Sequence, residues 1–360
     1  MIVVLARLTG KLAFIVIFGA LRRRAAVAAV CLSILPIACA PGVAPPEACV
    51  DDDRELSLGF YVYFAPVSHS ADGEPGSPGF DVHRGYEADL LTALEAMDGV
   101  GVSFSRRGIS SWDDIWLASA GPEFDVIGGG ITILDSRTRD AQGREAVVFT
   151  SGHIAFRQSL LVRVSEESRF TDYDDLTSDV RVGALAGTTG EARLLELSGL
   201  TNPDGALVAG ASIDTPRGEV VADGTPNYFI TAAAASENLA GRRRIRPPAG
   251  NMPEVVYLGD RLGEEELLTA LSDGRIDALA RGEVGNREAE HASGDTFVVA
   301  LLDDAVERGG FTFDVEDVEL AACLSNRIDF LTDEMTIGYA DWLQDPSVFM
   351  GRADVWNGIQ

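Results

Sequence analysis

Two successive series of short apolar runs, each alternating with amphipathic stretches, constrain this chain more than any other feature. The first series passes through residues 56–63, 86–97, 100–104, 112–118 and 124–128. The second passes through 160–164, 180–185, 191–197, 255–258, 264–271 and 276–280. Strand-length runs that alternate with helical patterns build largely parallel sheets flanked by helices. With 360 residues, 46% of them hydrophobic, the chain is long enough for two such units. An α/β protein of two lobes is predicted, with a helical stretch over 320–342.

The formal charge is -27. Residues 1–38 hold Arg7, Lys11, Arg22, Arg23 and Arg24 and no acid, so the rest of the chain is more acidic still. Such a surface repels phosphate backbones and anionic lipid, which argues against nucleic-acid binding and electrostatic membrane binding. Lys11 is the only lysine. Phosphate cradles of the Walker A type, Schiff-base enzymes and Ser-x-x-Lys acylases all require a lysine amine, so these classes are excluded. His69, His83, His153 and His291 are the only histidines, and none stands at metal-ligand spacing with another His or Cys. No metal or cofactor is expected, and Gly128-Gly129-Gly130 does not make a dinucleotide fingerprint.

Arg22-Arg23-Arg24 followed by the apolar run 25–38 reads as the n-region and h-region of a secretory signal, too short to span a bilayer. Leu35-Pro36-Ile37-Ala38-Cys39 resembles a lipoprotein signal box, with Pro36 where leucine is usual. Residues 1–38 are read as signal peptide and 39–50 as a proline-rich tether lipidated at Cys39. Cys49 and Cys323 then remain as an even pair and a candidate disulfide of an exported protein.

Five fragments occur in a telling order: Gly85-Tyr86-Glu87-Ala88-Asp89-Leu90; Trp112; Gly129-Gly130-Ile131-Thr132 with Arg137; Gly187-Thr188-Thr189-Gly190-Glu191; and Asp273-Gly274-Arg275-Ile276-Asp277-Ala278. Their order and spacing resemble the family 3 extracellular solute-binding proteins, the polar-amino-acid receptors of ABC importers, over roughly residues 55–345. The resemblance implies a type II periplasmic-binding-protein fold with a ligand cleft between lobes. Lobe 1 would be 51–152 plus 298–360 and lobe 2 would be 153–297. An insertion at about 200–252, rich in Gly, Pro, Ala and Asp, is expected to be flexible.

By the same resemblance, Arg137 stands where the family clamps a ligand carboxylate, a task suited to the guanidinium fork. The following Phe149-Thr150 is farther away than in the family, which makes Arg144 the competing candidate. Thr132 and the backbone of Gly130 would line the cleft edge. Thr188 and Thr189 would close from lobe 2, at a helix start that favours an anion. Phe64, in an aromatic-Ala-Pro turn, and Trp112 would flank the ligand side chain. Tyr61 occupies a position where some cationic-amino-acid receptors carry an acid, which disfavours lysine- or arginine-type ligands. Gly282 stands where the family commonly has the aspartate that accepts the ligand ammonium, and Glu283 is the candidate substitute.

The implied function is an extracytoplasmic, lipid-anchored, monomeric receptor for an amino acid or related small carboxylate. It would close by a hinge, serve an ABC permease and its ATPase, and touch the membrane only through its anchor. Gly130-Ile131-Thr132-Ile133-Leu134 with Arg137 also resembles the periplasmic cyclohexadienyl dehydratases, which need a carboxylic acid to protonate a leaving group, and Glu283 could supply it. A ligand-binding sensor module is the remaining alternative.

Overall fold

In the strand Arg54–Tyr61, Leu56, Leu58 and Phe60 alternate onto one face and are completely buried. Val102–Ile109 and Val126–Gly128 pair parallel to it on either side. Thr312–Asp314 and Val147–Phe149 complete a five-stranded sheet. Helices Tyr86–Glu95, Val318–Leu331 and Val348–Ile359 supply Leu90, Leu94, Leu324, Ile328 and Phe349 to the core over it. The structure, a computed structural model, describes residues 48–258 and 264–359. The signal peptide 1–38, Cys39 and most of the 39–50 tether lie outside the described residues. Cys49 is disulfide-bonded to Cys323 on helix Val318–Leu331, with the two Cα atoms 5.5 Å apart. Among the described residues no helix is long and apolar enough to cross a membrane.

The second lobe is an eight-stranded sheet whose edge pair, Ile154–Arg163 and Phe297–Gly309, runs antiparallel. These two strands also carry the chain out of lobe 1 and back, and Gly309 bridges to Thr132 of lobe 1. Phe297–Gly309 pairs with Ile154–Arg163 from end to end, with irregularities between Val299 and Leu301 and between Leu302 and Val306. Ala278–Gly282, Arg181–Ala184 and Glu254–Tyr257 follow in the sheet, the last two pairs parallel.

The 200–252 segment is folded, contrary to the expectation of flexibility. Arg244–Arg246 pairs with Glu254–Tyr257, and the hairpin Ser212–Thr215 and Gly218–Val221 extends the sheet beyond it. Leu207, Ala211, Ile213, Leu239 and Ile245 are each fully buried in the lobe 2 core. Each strand and turn contributes only one or two of these residues, so no period was visible among the glycines and prolines. The helical run expected over 320–342 also breaks. It stops at Leu331, passes through left-handed Asp333, Glu334 and Met335, and resumes as Tyr339–Gln344.

One buried group gives lobe 1 a pH dependence. His83 is 8% exposed, stacks on Phe60 at 4.1 Å, and sets Nε2 3.0 Å from Ser68 Oγ. Burial, with Arg106 and His69 adding to it, pushes the imidazole pKa well below its ordinary 6.5. The unfolded chain therefore binds a proton that the native chain refuses. The stability contributed by neutral His83 is present above 6.5 and is lost as the pH falls towards the native value. Denaturant titrations at pH 7.5, 6.5 and 5.5 should show this decline, and His83→Gln should flatten it. An equal slope in the variant would assign the decline to other groups.

Candidate functional site

A cavity of about 60 Å³ lies where the lobes meet. Tyr61, Phe64, Trp112, Gly130 and Thr132 line it from lobe 1, and Leu185, Thr188, Thr189, Gly190 and Gly282 from lobe 2. Phe156 and Gln158, on the strand leading into lobe 2, form its floor together with Leu279 and Ala280. Phe64, Trp112, Gly130, Thr132, Thr188 and Thr189, all singled out in the sequence, are thus brought to one place. The lining is mainly apolar and aromatic, with a few convergent polar groups, as in small-molecule sites generally.

The lobe 1 wall is built from turns at strand ends. Gly130 has φ +67, and a Cβ there would lie 2.5 Å from the Phe64 ring, so only glycine lets Phe64 pack against this turn. Its N–H donates to Glu87 Oε1 at 2.8 Å. Glu87 is completely buried and its Oε1 is also 2.9 Å from His153 Nε2, which pins the turn from behind.

The lobe 2 wall is the start of helix Thr189–Leu197. Thr188 caps it: its Oγ1 accepts from the Glu191 N–H at 3.1 Å and donates to Leu185 O at 2.8 Å. Glu191 reaches back to the Gly187 N–H at 2.7 Å. The N–H groups of Thr189 and Gly190 have no intrahelical acceptor, and the positive end of the helix dipole lies at the cavity. Thr189 Oγ1 faces across the cleft, 3.4 Å from Thr132 Oγ1. Glu191 itself is completely buried and bidentately paired with Arg242 of the 200–252 segment, at 2.7 and 2.6 Å. Burial alone would lower the Arg242 pKa, but the Glu191 carboxylate more than offsets it and holds the guanidinium above its ordinary range.

Arg137 is 1% exposed and is enclosed by both lobes. Its Nε and Nη2 donate to Ala232 O at 3.1 and 2.9 Å, Nη2 also to Gly187 O at 3.2 Å, and Nη1 to Thr132 O at 3.3 Å. The guanidinium lies 4.4 Å from the Trp116 ring centroid and 5.7 Å from that of Trp112. Burial pulls its pKa down to about 10 against the opposing charges of Glu307 and Asp114, so it stays cationic at neutral pH. Ala232 sits in a tight turn, where Thr231 N–H and Oγ1 both donate to Ala234 O, and Ala233 packs on the lobe 1 core. The insertion thus crosses the cleft and presents a main-chain carbonyl to the guanidinium fork. Trp112 Nε1 adds a further interlobe bond, to Gly187 O at 3.0 Å. Arg144, the competing candidate, is exposed and paired with Asp140.

Glu283 is not brought to the cavity; its carboxylate lies 3.6 Å from Arg157 and 3.7 Å from Arg287. At Gly282 the Phe156 and Phe64 rings come within 3.5 and 3.9 Å of where a side chain would start. The sequence reading also passed over Phe156, Gln158, Ala232, Arg242 and Glu307. A signal existed for Gln158: in Phe156-x-Gln158-x-Leu160 it is the polar residue at an inward position of an otherwise apolar alternation. Among the described residues no cluster of His, Cys, Asp or Glu is placed to hold a metal ion.

The chain has the two-lobed fold of the amino-acid ABC transporter substrate-binding proteins. A solved protein of this kind from Streptococcus pneumoniae, AbpA bound to L-arginine, superposes with TM-score 0.53 at 15% identity, covering 83% of this chain and 95% of that one. A second from Streptococcus pneumoniae, with bound histidine, gives TM-score 0.50 at 18% identity, covering 84% and 92%. The ancestral amino-acid-binding protein AncCDT-1, a precursor of cyclohexadienyl dehydratase, gives 0.50 at 19% identity, covering 84% and 95%. In sequence, a probable histidine-binding protein of Neisseria gonorrhoeae is 27% identical over 140 residues, 39% of this chain. That match spans about half, 46%, of the relative's own length. No family model matches.

Proposed function

We propose that this chain is an extracytoplasmic substrate-binding receptor of an ABC importer, closing its lobes on an amino acid or related small carboxylate. The observation that carries the proposal is the convergence, at the lobe junction, of a helix N-terminus, hydroxyls from both lobes and several aromatic faces. The ligand carboxylate would take the N–H groups of Thr189 and Gly190 with the Thr189 hydroxyl. Arg137 lends positive charge from beside them. Phe64, Tyr61, Trp112 and Phe156 would enclose the side chain. The amino-acid ligands of the Streptococcus pneumoniae proteins and the name of the Neisseria gonorrhoeae relative support the ligand class. The cavity lining carries no Asp or Glu side chain, which favours a neutral, largely apolar ligand over a cationic one.

The cavity is less than half the roughly 150 Å³ that admits benzene in a dry protein interior. Ligand entry therefore requires the lobes to part at Ile154–Arg163 and Phe297–Gly309, and closure is then stabilised by differential affinity. Anchoring through Cys39 and docking to a permease and its ATPase complete the proposal. A dehydratase would need an acid beside the leaving group, and Glu283 is turned to Arg157 and Arg287 instead. Binding without turnover is the expected behaviour.

Trp112 provides the test, since its ring lies in the cavity wall. Titration of the purified protein with the common amino acids and simple carboxylates should give a saturable fluorescence change for one of them, without product. Trp112→Ala should weaken that ligand by roughly tenfold to a hundredfold, the range of about 1.4–2.8 kcal/mol. Absence of saturable binding across the set, or turnover of a cyclohexadienyl acid, would refute the receptor assignment.

A further inference from the structure

We propose that Gln158, backed by Glu307, receives the ligand's ammonium group, so that the cleft selects α-amino acids over the corresponding carboxylates lacking the amine. This rests on the receptor function proposed above and specifies its ligand class. Gln158 is 4% exposed and lines the cavity. Its Nε2 donates to Thr189 Oγ1 and to Glu307 Oε1, both at 2.9 Å. Those bonds fix the amide orientation, because a flipped amide would turn its oxygen onto the Glu307 carboxylate, which only accepts. The other amide atom, Oε1, is buried and has no hydrogen-bond partner among the described residues. A buried acceptor without a donor is costly, and here it belongs to a residue of the cavity wall.

The position of that oxygen suits one ligand chemistry. It lies 3.1 Å from where a Cβ on Gly190 would be, beside the first-turn amides assigned to the carboxylate. In an α-amino acid the ammonium and the carboxylate share one carbon, so their acceptor and donors must be neighbours, as Gln158 Oε1 and the Gly190 turn are. Glu307 supplies the charge at one remove. Its Oε2 accepts from Thr132 Oγ1 at 3.0 Å, so both oxygens are held by cavity-lining residues, and its charge polarises the Gln158 amide toward a more negative Oε1. Glu307 comes from the return strand Phe297–Gly309, on one side of the Gln158 strand, whereas Gly282, where the sequence lacks the expected aspartate, pairs with Gln158 from the other.

The test is calorimetric titration of the full protein with each common amino acid alongside the carboxylate that lacks its amine. The amine-bearing partner of the best pair should bind roughly 10- to 100-fold tighter, the range for a hydrogen bond to a charged group. Gln158→Leu should bring that ratio close to one, and the paired exchange Gln158→Glu with Glu307→Gln, which keeps an acceptor at 158 and an amide facing a carboxylate, should preserve it. Glu307→Gln, a positioning change, should lower the ratio by an intermediate factor. Equal affinity within the pairs, or a Gln158→Leu loss that falls equally on both partners, would overturn the assignment while leaving the receptor function standing. Failure of every compound to bind would overturn both. If Gln158→Leu does not fold, as judged by its melting transition, the paired exchange and Glu307→Gln alone still decide the outcome through the ratio.

Discussion

Arg242→Ala should lower the unfolding free energy by about 3–5 kcal/mol, the usual cost of removing one partner from a buried ion pair. Glu191 is completely buried, and both of its oxygens are held by the Arg242 fork. Alanine would strand that charge and remove the guanidinium that lies 5.0 Å from the Tyr257 ring centroid. For a chain of this size the melting temperature should fall by roughly 10 °C. The site should suffer too, since Glu191 holds the Gly187 N–H and so the turn that opens helix Thr189–Leu197. Joint replacement of Glu191 and Arg242 by methionine should recover most of the stability, because the cost arises from an unpaired charge rather than from loss of a net attraction. Calorimetric melting of the single and double variants checks this. A single variant within about 1 kcal/mol of the parent would mean that Glu191 escapes to water or binds a proton cheaply.

Arg137→Ala should be felt most in closure. The guanidinium is shared between Thr132 of its own lobe and Gly187 and Ala232 of the other, so alanine leaves the Thr132 and Ala232 carbonyls without a donor, Gly187 O with Trp112 Nε1 alone, and a void beside Trp116. Each stranded buried acceptor costs about 1–3 kcal/mol, but opening hydrates the carbonyls and limits the total. The expected result is therefore a shift of the unliganded protein toward an open form, visible as a larger radius of gyration in small-angle scattering. Ligand affinity should drop by roughly a hundredfold, which corresponds to about 2.8 kcal/mol of added closing cost. Arg137→Lys keeps the charge but not the planar fork, and should recover only part of the effect. A variant as compact as the parent would show that the Ala232 turn closes the cleft unaided.

The two cases differ in how far they could be read in advance. Arg137 was singled out from its place after Gly129-Gly130-Ile131-Thr132, yet its principal acceptor, Ala232, belongs to a segment expected to be flexible. Arg242 lay in a run of arginines that gave no hint which of them would be buried. Gln158 was legible in principle from strand alternation, but its unpartnered oxygen was not, because that depends on which groups Glu307 and Thr189 offer after folding.

What the sequence by itself determined was local. The alternation of Leu56, Leu58 and Phe60, the glycine at the left-handed turn of residue 130 and the threonine cap at residue 188 follow from backbone geometry within a few residues. The ordering of apolar runs in two series then limits the architecture to two α/β lobes. The tertiary structure alone decided the partners of buried polar groups: Arg137 with Ala232 across 95 residues, Glu191 with Arg242 across 51, and Gln158 with Glu307 across 149. A buried charge or amide must be satisfied by whichever group the folded chain delivers, and chain proximity does not encode that choice.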